Sequence, residues 1–255
     1  MTVSGGRSHY IMHIRSDNFK KPLPERKAES VAMEYTLNRS KRKTIALYIR
    51  DGGLEVRAPL KMPKHEIDRF VASKEKWIND KLAKSNERAA LRESFTLGYG
   101  DFVAYRGGQF PIEAKGGNRI GFDDVRFYMP PDLAPEQIKS ACVMIYRMLA
   151  RRDLTEKAHL FAKRMSVAPA IIRITGAKTR WGSCSAKKSI NFSWRLIMAD
   201  DQTIDYVVVH ELAHLMEMNH SPQFWKIVEG IIPDYKALRA RLRELQIKLG
   251  AEDWD

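Results

Sequence analysis

Three of the seven histidines in this 255-residue chain lie within one segment, residues 207–225, which reads VVVHELAHLMEMNHSPQFW. His210 and His214 are four residues apart, so on an α-helix they share one face, about one turn and ~6 Å apart along the axis. Glu211 follows at the edge of that face. This H-E-x-x-H spacing predicts two zinc ligands and a carboxylate that takes a proton from zinc-bound water. The alternative is a buried core helix, in which two histidines and a glutamate would be costly to desolvate.

A zinc site of this kind needs a third protein ligand, and His220 is the leading candidate. On a continuous helix it would lie ~15 Å from the first histidine along the axis, so the chain has to turn back. Asn219 suits the left-handed conformation that ends helices, Ser221 is a typical N-cap and Pro222 a typical first helical residue. The pattern therefore predicts a helix break just before His220. The alternatives are an exposed loop histidine at this position and Glu229, on the following helix, as the third ligand.

The wider segment, residues 180–225, resembles the YgjP-like family of zinc metallopeptidases, which are relatives of the SprT-like proteases. It carries the family's W-G-S-C-S, then N-F-S-W-R-L in place of N-W-R-L, then H-E-L-x-H and N-H-S-x-x-F-W, in that order. A looser likeness extends back over residues 39–60. The histidine spacing is also that of metzincins, but Glu217 stands where they carry glycine. The YgjP resemblance implies that His210, His214 and His220 bind Zn²⁺ and that Glu211 is the general base.

The chain divides into three pieces by pattern. Residues 1–30 are polar and predict a flexible basic arm. Residues 31–130 predict a β-rich region with a hairpin around Asp51-Gly52-Gly53 and one amphipathic helix after Pro63. Residues 131–255 predict long helices, short strands and the metal helix. Together with the resemblance, this order predicts an α+β chain whose C-terminal part is a zincin-like metallopeptidase domain.

Five further residues are candidates for the site. In zincins an extended substrate adds as a strand to a sheet edge above the metal helix, and Trp181 and Gly182 are candidates for that edge. Tyr235 is a candidate donor to the oxyanion of the transition state. Asp205 and Glu217 are candidates for orienting the ligand imidazoles, with surface charges as the alternative.

The net charge of +13 is unevenly distributed. Residues 1–90 hold 20 of the 44 Lys and Arg but 11 of the 31 Asp and Glu, a net charge of +9. The densest basic cluster comprises Arg39, Lys41, Arg42 and Lys43. Such a cluster is a candidate contact for nucleic acid, and a solvated basic surface is the alternative.

Two cysteines, no apolar N-terminal leader and no apolar run of membrane-spanning length predict a cytoplasmic protein without membrane contact. The expected function is a zinc-dependent metallopeptidase that hydrolyses polypeptide. The alternatives are a metal-dependent hydrolase of a non-peptide amide and a nucleic-acid-associated protein with a structural zinc. A structural zinc would leave Glu211 without a role, since such a site needs no general base.

Overall fold

The computed structural model describes residues 33–50 and 52–254, together with the backbone of residues 10–15. The chain forms two compact units, and the boundary between them falls between Ser94 and Phe95. Small sheets and helices occur in both units, in agreement with the expected α+β class.

The N-terminal unit contains a four-stranded sheet in the order β1-β3-β4-β2. Its strands are β1 (Tyr10–Arg15), β2 (Thr36–Ser40), β3 (Thr44–Arg50) and β4 (Gly53–Pro59). The predicted hairpin is confirmed: β3 and β4 pair antiparallel, and Gly52 adopts a φ of 74°, which a tight turn of this kind requires. The predicted basic arm lies outside the described residues except for β1, which pairs with β3 and is therefore an ordered strand.

The predicted single amphipathic helix of this unit is two helices, α1 (Lys64–Ser73) and α2 (Glu75–Glu93). They separate at Lys74, whose backbone has a non-helical φ of −114°. Ile67, Phe70 and Ile78 are buried with the apolar residues of β3 and β4, and this burial holds both helices against the sheet. The apolar positions were thus recognised, but the pattern did not reveal the break.

The C-terminal unit has two small sheets and four α-helices among its described residues. One sheet has the order β5-β6-β8-β7, and the other has the order β10-β11-β9. The strands are β5 (Phe102–Tyr105), β6 (Gly108–Ala114), β7 (Gly121–Phe122), β8 (Phe127–Met129), β9 (Ile171–Thr175), β10 (Gly182–Cys184) and β11 (Ser189–Ser193). The helices are α3 (Pro135–Arg164), α4 (Asp201–Ala213), α5 (Pro222–Ile231) and α6 (Tyr235–Leu249), with a 3₁₀ helix at Trp194–Met198.

The boundary between the units differs from the expected one at residue 130. Strands β5 to β8 pack on α3, because Tyr146 donates a hydrogen bond to the Ala104 carbonyl (2.7 Å) and Tyr105 donates one to the buried Asp153 carboxylate (2.5 Å). The sequence pattern of these strands resembles that of the preceding hairpin, so it could not show which core they join.

The second sheet carries the elements nearest to the histidines. β11 is its central strand, parallel to β9 and antiparallel to β10. β10 is therefore an edge strand with one side unpaired within this sheet. Among the described residues, no helix has the length and apolar character needed to cross a membrane.

Candidate metal centre

Helix α4 places polar groups inside an apolar core. Its start is capped by Asp200, whose carboxylate accepts a hydrogen bond from the Thr203 amide (2.9 Å). The helix is buried on nearly every side; His210 and Glu211 lie in its last turn and His214 directly follows it, and these three residues are only 2%, 3% and 8% exposed. Burying three such groups in an apolar core is costly unless they are hydrogen-bonded, charge-paired or bound to a ligand.

The turn after α4 begins earlier than the sequence predicts. The helix ends at Ala213, and Asn219 does not have the expected positive φ. The backbone amides of Met216 and Glu217 bond to the Ala213 carbonyl, and the His214 ring bonds to the Glu217 carbonyl (3.1 Å). These tight turns make a left-handed residue unnecessary.

The start of α5 is confirmed. The Ser221 hydroxyl accepts a hydrogen bond from the Phe224 amide (3.3 Å), and Pro222 is the first helical residue. The reversal of the chain returns His220 to the face of α4 that carries the other two histidines.

The three histidines form a cluster that fits a divalent metal ion. One ring nitrogen from each of His210, His214 and His220 lies within 4.8 Å of the others, and the Nε2 atoms of His210 and His220 are 3.1 Å apart. Zinc–nitrogen bonds of about 2.0–2.1 Å in tetrahedral geometry place ligand nitrogens roughly 3.4 Å apart. The cluster is therefore close to a coordinating arrangement. Zinc binding would require only a small increase in the distance between the Nε2 atoms of His210 and His220.

Burial sets the charge state of the groups in the cluster. Burial, together with the neighbouring His214 and His220, lowers the pKa of His210 to about 3. Burial also lowers the pKa values of His214 and His220. All three rings are therefore held neutral, which is the form that binds a metal. Burial raises the pKa of Glu211 to about 8, while the nearby Arg180 opposes that rise.

Strand β10 lies directly against Glu211. An added Cβ on Gly182 would be 2.5 Å from Glu211 Cγ, closer than real Cβ contacts. The Trp181 side chain is buried, so this residue contributes its backbone to the start of the edge strand while its ring packs in the core. The predicted sheet edge is thus next to the predicted base.

The family model for the YgjP-like metallopeptidase domain matches residues 43–245, more than half of the chain. The chain belongs to the YgjP-like family. It is 30% identical over 96 residues to the UTP pyrophosphatase of Escherichia coli (strain K12), a match that covers 37% of this chain and 54% of that protein. The chain therefore spans about half the length of this curated relative.

A solved structure also resembles part of this YgjP-like chain. The metallopeptidase zymogen abylysin from Pyrococcus abyssi is 23% identical, and the match covers 35% of this chain and 90% of that one. The TM-score is 0.33, which is too low to establish a shared fold.

The YgjP-like site differs from expectation at the residues around the imidazoles. Glu217 does contact the His214 ring, but it does so through its backbone carbonyl, which bonds to His214 Nδ1. Asp205 instead pairs with Lys157 on α3 (2.6 Å), so its carboxylate is engaged away from the imidazoles. Glu229 is exposed and lies outside the histidine cluster.

Tyr235 is buried at the start of α6. Its ring stacks on Trp225 at 5.1 Å and on Tyr206 at 6.4 Å. Its predicted part in stabilising an oxyanion stays a prediction.

Phe224 is a site residue that sequence reasoning missed. It is fully buried, and its ring centroid lies 4.9, 4.6 and 4.7 Å from those of His210, His214 and His220. It therefore forms the apolar wall that holds all three rings. Its place in the N-H-S-x-x-F-W pattern was the available signal, since an N-cap at Ser221 directs this position of α5 toward the core.

Two cations near the site were also missed. Arg180 influences Glu211, and the charge of Arg239 influences His210 and His220. Arg239 lies over the Trp225 ring at 5.8 Å. Neither residue belongs to a metal-binding spacing, so only the folded chain brings them to the site.

The basic cluster of the N-terminal unit is partly engaged within that unit. The Arg39 guanidinium donates hydrogen bonds to the carbonyls of Pro59 and Met62 (3.1 and 2.6 Å), and Arg42 donates one to the Thr44 hydroxyl (3.1 Å). Lys41 and Lys43 are exposed. The predicted nucleic-acid contact of this cluster stays a prediction.

Proposed function

We propose that this protein is a zinc-dependent metallopeptidase whose ligands are His210, His214 and His220 and whose general base is Glu211. The observation that supports it best is the position of a buried carboxylate beside a cluster of three neutral imidazoles, below an edge strand. A purely structural zinc site has no use for such a carboxylate. A zincin-like arrangement of the C-terminal unit is part of the same proposal.

Zinc, when bound, would lower the pKa of the attacking water and polarise the scissile carbonyl. Glu211 then takes the water proton and delivers it to the leaving amine. Burial raises its pKa to about 8 in the metal-free chain, and the charge of a bound metal ion would lower it toward the range in which the carboxylate accepts and releases a proton near neutral pH. The apolar wall of Phe224 excludes water from the back of the site and strengthens electrostatic interactions within it.

The substrate backbone would pair with the free side of β10. Main-chain hydrogen bonds to an edge strand hold an extended polypeptide with little dependence on its side chains. The scissile bond would then lie near Gly182, where the absence of a side chain leaves room for the Glu211 carboxylate against the strand.

A second candidate function is hydrolysis of a nucleoside triphosphate at the same centre. The E. coli relative is named a UTP pyrophosphatase, and Arg180 and Arg239 place positive charge beside the site, as binding of a polyphosphate would require. Water would attack a phosphorus atom, and pyrophosphate would leave. Hydrolysis of a non-peptide amide would use the same residues as the peptidase reaction.

One experiment separates these functions. The purified full chain, loaded with zinc, is incubated with a proteome-derived peptide library and, separately, with UTP. Cleaved peptides are identified by mass spectrometry, and released pyrophosphate is quantified. New peptide termini without pyrophosphate support the peptidase, and the reverse result supports the second candidate.

The Glu211→Gln variant is the matched control for both assays. It should keep its zinc, because the carboxylate moves a proton and does not coordinate the ion, and it should lose hydrolysis. Zinc content and activity are measured on the same samples. Full activity in this variant would exclude Glu211 as the base for either reaction.

A further inference from the structure

Two buried polar atoms of the C-terminal unit have no hydrogen-bond partner among the described residues: the Tyr206 hydroxyl oxygen and His210 Nδ1. Both belong to α4, and the two residues are four apart, so they are neighbours on one helix face. Buried polar groups are nearly always hydrogen-bonded, and each exception needs a reason. Two such exceptions one helical turn apart suggest a common reason.

The geometry confines both groups. Tyr206 is fully buried, and its ring packs edge-on against His210 with 5.9 Å between centroids. Tyr235 stacks on Tyr206 at 6.4 Å, and this packing restrains its ring. The Nε2 atom of His210 faces His220, so Nδ1 is the nitrogen left for a partner outside the cluster.

A neighbouring ligand shows the arrangement that His210 lacks. His214 Nδ1 bonds to the Glu217 carbonyl at 3.1 Å. That contact fixes which nitrogen carries the proton and turns the other toward the centre of the cluster. Asp205, the acidic residue that the sequence suggested for such a role, is bound to Lys157 instead.

We propose that Tyr206 is a positioning residue for the metal centre, and that its hydroxyl accepts a hydrogen bond from His210 Nδ1–H, directly or through one buried water, when the metal is bound. This inference rests on the proposed metal centre. Binding of a metal at Nε2 places the imidazole proton on Nδ1, where it needs an acceptor, and a tyrosine hydroxyl can supply one. The same hydrogen bond would give both buried atoms a partner.

This arrangement makes the metal-free and metal-bound proteins respond differently to loss of the hydroxyl. In the metal-free protein the hydroxyl is buried without a hydrogen-bond partner among the described residues, so its removal should leave stability unchanged or raise it. In the metal-bound protein the hydroxyl orients a ligand, so its removal should weaken metal binding. A residue that only supports the fold would not produce effects of opposite direction.

The test compares Tyr206→Phe with Tyr146→Phe in the full chain. Tyr146 is equally buried, but its hydroxyl already bonds to the Ala104 carbonyl, so it is a matched control for loss of a buried hydroxyl. Zinc affinity is measured by competition with a chromophoric chelator, and the Tm of the metal-free protein is measured by circular dichroism. Visible spectra of the Co²⁺-loaded proteins report the ligand geometry.

Tyr206→Phe should bind zinc about 10- to 100-fold more weakly than the wild type and should shift the Co²⁺ spectrum. Its metal-free Tm should be equal or higher. Tyr146→Phe should lower the metal-free Tm and leave zinc affinity unchanged. Wild-type zinc affinity in Tyr206→Phe, or a fall in its metal-free Tm that matches the fall in Tyr146→Phe, would overturn the inference.

The outcomes also distinguish this inference from the proposed function. A wild-type protein that does not bind zinc would overturn the metal centre and the role of Tyr206 together. Weaker zinc binding by Tyr206→Phe, in a protein that cleaves neither peptides nor UTP, would support the inference and overturn the proposed reactions.

Discussion

Gly182 and Glu211 are in such close contact that no side chain fits between them. A Cβ on Gly182 would lie 2.5 Å from Glu211 Cγ and 2.6 Å from its Oε1. Strand β10 and helix α4 thus meet at the proposed base. The glycine is required here by close approach, since its φ is not in the positive range.

Gly182→Ala is therefore expected to displace the Glu211 carboxylate while the histidine cluster stays intact. A displacement of about 1 Å in a reacting group can lower activity by about 100-fold, and we expect a loss of at least that order. Overpacking should also lower the free energy of unfolding by about 1–3 kcal/mol. Hydrolysis rate, zinc content and urea denaturation are measured on one preparation.

Gly230→Ala is the control for this variant, because a Cβ at Gly230 would meet nothing within 4 Å. It should leave activity unchanged and slightly stabilise α5. Wild-type turnover in Gly182→Ala would mean that Glu211 is not used as proposed, or that β10 moves away from it.

The third ligand can be tested with two alanine variants. His220→Ala should lower zinc affinity sharply, because two histidines alone hold zinc weakly. Glu229→Ala should change it little, because Glu229 is exposed and outside the cluster. Zinc content after dialysis against a weak chelator checks both variants. Zinc loss in Glu229→Ala together with retention in His220→Ala would reverse the assignment.

The pairing of Asp201 with Arg106 should make stability depend on pH. Arg106 donates hydrogen bonds to both carboxylate oxygens of Asp201 (2.8 and 2.9 Å), and this lowers the pKa of Asp201. A folded-state pKa below the unfolded value of about 3.9 adds stability above that pH, and this stability is lost as the pH falls through the folded pKa.

Asp201→Asn should therefore lower the free energy of unfolding at pH 7, and the difference from wild type should shrink as the pH falls below about 4. Because both side chains are more than a third exposed, solvent screening limits the expected loss to roughly 1 kcal/mol or less. Asp132→Asn, an exposed site with no ion pair to a described residue, is the control. Urea denaturation of the metal-free proteins at several pH values measures the free energy of unfolding. A difference between wild type and Asp201→Asn that stays constant down to pH 2 would contradict the prediction.

The proposed nucleic-acid contact is best tested at Lys41 and Lys43. Arg39 and Arg42 bond to their own unit, so their removal would disturb the fold. If the two lysines contact phosphates, Lys41→Ala with Lys43→Ala should flatten the dependence of log affinity on log salt by about 0.9 per lost contact on duplex DNA. Fluorescence anisotropy with a labelled duplex and a labelled single strand at several salt concentrations measures this slope.

The control removes the same charge elsewhere in that unit, at Lys76 and Lys84 on α2. It should leave the slope unchanged, and neither double variant should alter cleavage of a short free peptide. Absence of binding at low salt in the wild type would identify the cluster as a solvated surface.

The local features of the site could be predicted from the sequence because they depend on spacing and backbone preference. The four-residue interval places His210 and His214 on one helix face, and Ser221 with Pro222 begins the next helix. The reversal that returns His220 was also predictable, but the wrong residue was chosen for it. Asn219 has a suitable propensity, whereas the actual turn is stabilised by the His214 ring and the Glu217 carbonyl, a contact that propensity does not describe.

Only the tertiary structure decided which groups from different elements meet. Gly182 on β10 reaches Glu211, Phe224 on α5 contacts all three histidines, and β5 to β8 join the C-terminal core. The periodicity of each segment reports which of its residues are buried, but not the partner that buries them. The contact between the Tyr206 and His210 rings is local in sequence, yet the lack of a hydrogen-bond partner for the Tyr206 hydroxyl and His210 Nδ1 among the described residues depends on how the surrounding elements pack. Local spacing thus determined the chemistry available to this chain, and long-range packing determined how its groups are oriented and enclosed.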